Sequence, residues 1–234
     1  MDSLAALFSR AKRIYHTEGL MPLAKAGYRF LIYHLFEYSV YWLYTEPVPS
    51  RAGLNEADFM PRVDDYVWKV VSSNREADEL EAEGYEFRSL VVNGRERLDS
   101  GVAALCVFVG KELANIAWVA TSQEAKDCIR EPPYRVDFAN HETCWGGIWT
   151  HPRYRRLGLR RYARFKLDEF LLTKDSVRNR GAIRKGNVAA VNSRAQHFPP
   201  PYAEGRYLRI LWWESWKETP LPREAGGQRG DDLL

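Results

Sequence analysis

The segment of this chain richest in chemistry runs from residue 146 to residue 161 and reads Gly-Gly-Ile-Trp-Thr-His-Pro-Arg-Tyr-Arg-Arg-Leu-Gly-Leu-Arg-Arg. An apolar, strand-like run ends at Thr150, a His-Pro turn follows, and a glycine-containing basic loop opens onto a stretch of helical periodicity. The first turn of a helix leaves backbone N–H groups unpaired and carries a partial positive charge, so a glycine loop at that point is an anion site. Arg153, Arg155, Arg156, Arg160 and Arg161 add fixed charge around it, and a phosphate or pyrophosphate is the natural ligand. The same spacing also fits the solvated face of a basic helix.

Gly146 and Gly147, adjacent inside a strand, weaken it unless a bulge or another backbone needs the room. A bulge would splay the strand from its neighbour and free main-chain groups to bind an extended, amide-bearing chain. A tryptophan packed opposite the glycines is the alternative. Strand alternation places Glu142, Cys144, Gly146 and Ile148 on one face and His141, Thr143, Trp145 and Trp149 on the other. His141, Cys144 and His151 fall on different sides of this strand without paired-ligand spacing, so no metal is expected. No Ser-His-Asp arrangement or P-loop is present, and Cys106, inside an apolar run, reads as core.

The stretch Thr150-His151-Pro152-Arg153-Tyr154-Arg155-Arg156-Leu157-Gly158-Leu159 resembles the acyl-CoA loop of the GNAT N-acyltransferase superfamily, whose signature is Gln or Arg, two residues, Gly, one residue, then Gly or Ala. Arg155 and Gly158 fit it, and Arg160 stands where the family has its last small residue. Gly186-Asn187-Val188-Ala189-Ala190 is similar to the Asn-headed helix of the same family, and the resemblance covers Tyr66 to Trp216 in element order. It implies acetyl-CoA as co-substrate. Pantetheine would lie along Ile148, Trp149 and Thr150, with the pyrophosphate on Arg155, Arg156, Leu157, Gly158, Leu159, Arg160 and Arg161, and Asn187 close by.

The resemblance further implies direct attack of a primary amine on the acyl thioester. Such chemistry needs a deprotonated amine, a donor to the developing oxyanion and a proton for the thiolate. An amine with a pKa near ~10.4 is mostly protonated at neutral pH, so a carboxylate base is expected. Glu142, at the start of the strand that by the resemblance faces the acyl group, is the expected base, with His141 as fallback. Many relatives carry a Tyr in the helix after the second motif. Here that stretch holds Ala195, Gln196, His197, Phe198 and three prolines, which leaves Tyr202 as the candidate acid. The departure at Arg160 and the missing Tyr also fit a GNAT-like fold kept for binding or regulation.

The elements that must position these residues follow from periodicity. Leu4, Leu7, Phe8, Ala11, Ile14 and Tyr15 recur at helical spacing, with Ser3 as N-cap and Gly19 as stop. A second helix is expected from Pro22 to about Tyr44. Eight of the 31 Phe, Trp and Tyr residues fall between Tyr28 and Tyr44, so residues 1–46 read as an aromatic-rich helical appendage that packs on the main domain or on a second subunit, completing a homodimer, or meets a membrane surface. Arg29, His34 and Glu37 make this stretch too charged for a membrane span, which needs roughly 20 mostly apolar residues. Residues 47–62, with three prolines, read as a linker.

A domain over residues 63–217 is then expected. Its strands are Tyr66–Ser72, a hairpin of Val102–Val109 with Leu113–Ala120, Glu142–Thr150, Gly181–Lys185 and a closing Tyr207–Trp216, with Tyr85–Val92 extended. Its helices are Arg75–Glu83, a short polar one after the hairpin, Leu159–Leu172 and Val188–Phe198, and the tail from Glu218 reads as disordered. This order indicates an α/β (α+β) fold with a mixed, mostly antiparallel central sheet and helices on both faces. The net charge of +3 is too small to argue for nucleic acid, and three cysteines without CxxC spacing fit a reducing, cytoplasmic setting, with peripheral membrane contact as the variant the aromatics allow.

Overall fold

The computed structural model of the 234-residue chain describes residues 35–48, 54–88, 93–129, 131–195 and 199–222, together with Met21 and Val91. The described residues form eight strands, β1 (Phe36–Pro47), β2 (Tyr66–Val71), β3 (Ala103–Val109), β4 (Glu112–Ala120), β5 (Glu142–Thr150), β6 (Arg178–Arg184), β7 (Ala203–Ile210) and β8 (Trp213–Pro220), of which β2 to β4 are apolar runs rich in β-branched and aromatic residues. They make one sheet in the order β2-β3-β4-β5-β6-β1-β7-β8. Each neighbouring pair is antiparallel except β5 and β6, which run parallel.

Five α-helices are described: α1 (Asn74–Ala82), α2 (Gly94–Asp99), α3 (Gln123–Cys128), α4 (Leu159–Leu172) and α5 (Val188–Ala195). Ser73 and Ser122 start α1 and α3 by accepting from the N–H groups of Glu76 and Ala125. On one face of the sheet Ala77, Leu80, Leu98 and Ala125 of α1 to α3 cover Leu43, Cys106, Phe108, Trp118 and Cys144. On the other face α4 lays Leu159, Ala163, Leu167 and Leu171 over Leu105, Val107, Val119 and Trp145. The result is an α+β fold with a mixed sheet and helices on both faces.

The largest correction concerns the aromatic run. Phe36–Pro47 is not the end of a helix but strand β1, inserted between β6 and β7 in the middle of the sheet. Its second half is covered on both sides, with Tyr41 and Leu43 facing the α1–α3 core and Trp42 and Tyr44 facing α4, while Phe36 and Tyr38 at its start are exposed. A strand covered on both faces reads as a continuous apolar run, which periodicity alone does not separate from a buried helix. The sheet therefore begins inside the expected appendage. The expected helix over residues 3–19, and most of the surface over residues 4–44 expected to meet a membrane or a second subunit, lie outside the described residues. Among the described residues no helix is long and apolar enough to cross a membrane.

The expected linker is also partly structured. A 3₁₀ turn at Glu56–Phe59 docks on α4, where Phe59 stacks on Phe165 at 4.6 Å and Glu56 meets Lys166 at 2.9 Å. Tyr85–Phe87 is not a strand, and the helix α2 that follows was not expected. The expected single closing strand is the hairpin β7–β8, whose turn contains Leu211 at φ 59°. β8 runs through Glu218 to Pro220, into the stretch expected to be disordered; residues 223–234 lie outside the described residues.

Candidate functional site

β5 pairs with β6 only over Glu142, Thr143 and Cys144, and beyond Cys144 the two strands part. On its other edge β5 stays on β4, with a register break between the Trp118–Gly146 and Ile116–Trp149 pairs. Gly147 is the inserted residue, at φ 55°, and a β-carbon there would lie 2.9 Å from Trp118 Cδ1. The glycine pair thus serves both readings given above, a bulge and a close-packed tryptophan. The extra residue corrects the expected alternation: Ile148 faces α4, and Trp149 packs against the α1–α3 core on the opposite face. Asn115 fastens the parted end, donating from Nδ2 to the Trp149 carbonyl at 3.1 Å and to Thr150 Oγ1 at 2.7 Å.

After β5 the chain turns at His151, whose Nδ1 accepts from the Arg153 N–H. Arg156 at φ 66° and Gly158 at φ 83° then reverse it into α4, whose first turn has no side-chain cap. The loop borders a cleft of about 1350 Å³. Ile148, Trp149 and Thr150 line it, with Arg155, Arg156, Gly158, Leu159, Arg160 and Arg161 at the helix start, Leu54 and Phe59 on one wall, and Asn187, Ala190 and Ser193 on another. Asn187 also heads α5, accepting from the Ala190 N–H at 3.2 Å. Ten of the eleven residues expected at the cofactor site are brought together. Leu157 is the exception: its carbonyl accepts from Arg62 N–H at 2.7 Å and its side chain packs into the core under α4. Arg153 also turns away, to an ion pair with Glu112.

Sequence reasoning missed the charged floor of this cleft. Glu46, delivered by β1 and 4% exposed, pairs with Arg194 and, at 2.6 Å, with Arg164, which also holds Asp168 at 2.9 Å. Arg194 stacks over Tyr44 at 4.0 Å, and burial draws its guanidinium down to about 10. Glu46 had no sequence signal because its strand was read as appendage and linker.

Glu142 sits where β5 and β6 are still paired. It is 8% exposed, receives Arg180 through Nε at 2.5 Å and Nη2 at 2.8 Å, and accepts from the Asp137 N–H at 2.9 Å. Burial alone would raise its pKa, but the Arg180 guanidinium and the Asp137 N–H hold the carboxyl below its ordinary value. Its geometry is that of a structural ion pair, not of a base facing the cleft. His141 is exposed in the left-handed region at φ 56°, closing a 3₁₀ turn. Tyr202 lies on the α1–α3 face, its hydroxyl 3.4 Å from Arg180 Nη1, and burial raises its pKa. None of these three lines the cleft.

The carboxylate at the parting point is Glu131, which, like those three, is not among the residues lining the cleft, and which packs on the α1–α3 side of β5. It packs against Gly146 so closely that a β-carbon on that glycine would overlap its carboxyl group. The carboxyl accepts from the backbone N–H of Ala182, on β6 beyond its last pairing with β5, and lies 3.5 Å from the Tyr134 hydroxyl. Burial pushes it up to about 8, against the opposing pull of Lys126, Tyr134 and the Ala182 N–H. A carboxyl titrating there is matched to proton transfer with an amine. The one sequence signal was the glycine facing it, since Glu131 itself precedes a Pro-Pro break that reads as a loop. Among the described residues no cluster of His, Cys, Asp and Glu is arranged to hold a metal ion.

No protein-family model matches the sequence, and no curated protein matches it. Solved structures are similar in shape at low identity. One is a functionally unknown conserved protein from Staphylococcus epidermidis, 12% identical with a TM-score of 0.44 over 82% of this chain and 68% of that one. A Drosophila protein is 8% identical with a TM-score of 0.44, over 81% of this chain and 57% of that one. The C-terminal DUF2156 domain of a putative lysylphosphatidylglycerol synthetase from Agrobacterium fabrum is 13% identical with a TM-score of 0.39, over 78% and 65%.

Proposed function

We propose that this chain is an N-acyltransferase that moves an acyl group from a CoA thioester to a primary amine, as its resemblance to the GNAT superfamily implies. The observation that carries this reading is the parting of β5 from β6 directly beside an arginine-lined cleft at the uncapped start of α4. The residues fit the donor. Gly158 in the left-handed region opens the helix start to a pyrophosphate, Arg155, Arg156 and Arg161 supply cations, and the bulged strand at Ile148 and Thr150 offers backbone to an amide-bearing arm.

Bound there, an acyl-CoA supplies an activated thioester carbonyl. Glu131 accepts the proton of the attacking amine as the N–C bond forms and the C–S bond breaks, and the same proton is then available to the departing thiolate. Glu142 orients β5 and β6 through Arg180 and takes no part in proton transfer. Acetyl is the simplest acyl group for this site, and the amine remains defined only by class.

Isothermal titration of the full chain with CoA and with acetyl-CoA tests the reading. Saturable one-to-one binding, lost when Gly158→Glu places a carboxylate at the helix start, is the expected result. No heat from either compound in the folded protein would overturn it.

A further inference from the structure

Past Ile148 the cleft adjoins a chamber of about 40 Å³ between β4, β5 and α4. Ala117, Trp145, Ile148, Ala163 and Leu167 give it apolar walls, and Asn115, Arg160, Arg164 and Arg194 are the polar residues among them. Three guanidinium groups reach it, those of Arg160, Arg164 and Arg194; Arg164 and Arg194 both pair with Glu46, and Arg164 also with Asp168. Arg160 is placed differently. Its Nη1 donates to Ser193 Oγ at 3.2 Å, and among the described residues no carboxylate lies within ion-pair distance of it. A second observation points the same way: Asn115, 1% exposed, spends Nδ2 on β5 and leaves Oδ1 without a hydrogen-bond partner. A buried acceptor and an uncompensated guanidinium in one small space call for a polar occupant, because a hydrocarbon would leave both unsatisfied.

We infer that this chamber receives the carboxylate of a short dicarboxylic acyl group carried by the CoA donor, with Arg160 as its counter-ion. The inference rests on the acyl-CoA reading and deepens it to a substrate class. The space suits it: at roughly 10–15 Å³ per ordered water, a chamber of this size admits a carboxylate or a few waters and excludes a long alkyl chain. A water hydrogen-bonded to the carboxylate donates to Asn115 Oδ1. The departure at Arg160 from the small residue of the resembled loop gains a purpose, since a small residue there would remove the guanidinium that, among the described residues, has no carboxylate within ion-pair distance.

The same guanidinium could instead serve the pyrophosphate of the donor, and titrations with CoA, acetyl-CoA and succinyl-CoA separate the two sources. In the native protein succinyl-CoA is expected to bind at least about tenfold tighter than acetyl-CoA, the lower end of what one charge-assisted hydrogen bond contributes, and Arg160→Gln should erase that gap. Equal affinity for acetyl-CoA and succinyl-CoA in the native protein, a comparison that needs no variant, overturns the inference. So does a loss in Arg160→Gln shared equally by all three compounds, which assigns Arg160 to the pyrophosphate and leaves the acyl-CoA reading intact. If none of the three binds, the acyl-CoA reading itself falls and the chamber proposal with it.

Discussion

The carboxyl group of Glu131 fills the space that a side chain on Gly146 would occupy. A titratable group from the loop before β5 is thereby held on the bare backbone of that strand, at the point where β6 departs. Replacing Gly146 with alanine leaves the strand its backbone and removes the seat of the carboxylate. With a suitable amine, Gly146→Ala is expected to lower kcat by about 100-fold, the scale of a misplaced general base, without weakening acyl-CoA binding. Steady-state kinetics alongside titration checks the split, and unchanged kcat would remove Glu131 from the reaction.

Glu131 also predicts a pH dependence of stability. Its folded pKa, about 8, lies above the ordinary 4.5. Between those values the native state keeps a proton that the unfolded chain has released, so stability falls as pH rises through the window, by at most ~1.4 kcal/mol per unit. Glu131→Gln cannot ionise and lacks this fall. Thermal melts near about pH 5 and about pH 8 should show the variant gaining on the native protein at the higher pH. Parallel curves would place the carboxyl in a wetter setting than its packing indicates.

The Glu142–Arg180 pair carries the opposite sign. The carboxyl is held below its ordinary 4.5, so its stabilisation is complete above that value and is lost as pH falls through the lowered folded pKa. Glu142→Gln leaves Arg180 half-buried without its charge partner and is expected to cost about 3 kcal/mol by denaturant titration, with the residual folded protein still turning over. A fully stable but inactive variant would return Glu142 to the role of base.

β1 offers a test of the fold itself. Leu43 is 1% exposed in the core under α1 to α3, and Leu43→Ala should cost about 2–5 kcal/mol for the lost burial and the cavity. Removing residues 1–46 takes out nearly all of β1 and bares the edges of β6 and β7, so the truncated chain is expected to lose cooperative unfolding by circular dichroism. A truncated protein that melts like the full chain would restore the appendage reading.

Legibility in the sequence followed how local the determinant was. Helix α4, the β3–β4 hairpin and the arginine loop announce themselves within about 20 residues of chain through periodicity, turn residues and glycine placement, and they stand where expected. β1 did not, because its apolar run carries no period once both faces are covered, and its partners lie far along the chain. Glu131 and Glu46 escaped for the same reason: each becomes functional in appearance only through elements that the fold brings to it, β5 and β6 at Gly146 and Ala182 for one and helices α4 and α5 for the other. Glu142 was chosen by its place on β5, and the arginine that neutralises it comes from β6.

The central place of β1 also sets an order of events during synthesis. Tyr41 and Arg184, register partners across β1 and β6, are 143 residues apart, and β7 is farther still. β1 leaves the ribosome before β6 and β7 and must wait for both, aromatic and without its sheet partners. Loop-closure entropy makes such pairing slow, and an exposed strand of this composition is prone to intermolecular association in the interval. Glu46 travels with that strand, so the charged floor of the cleft is assembled in the same late step that closes the sheet.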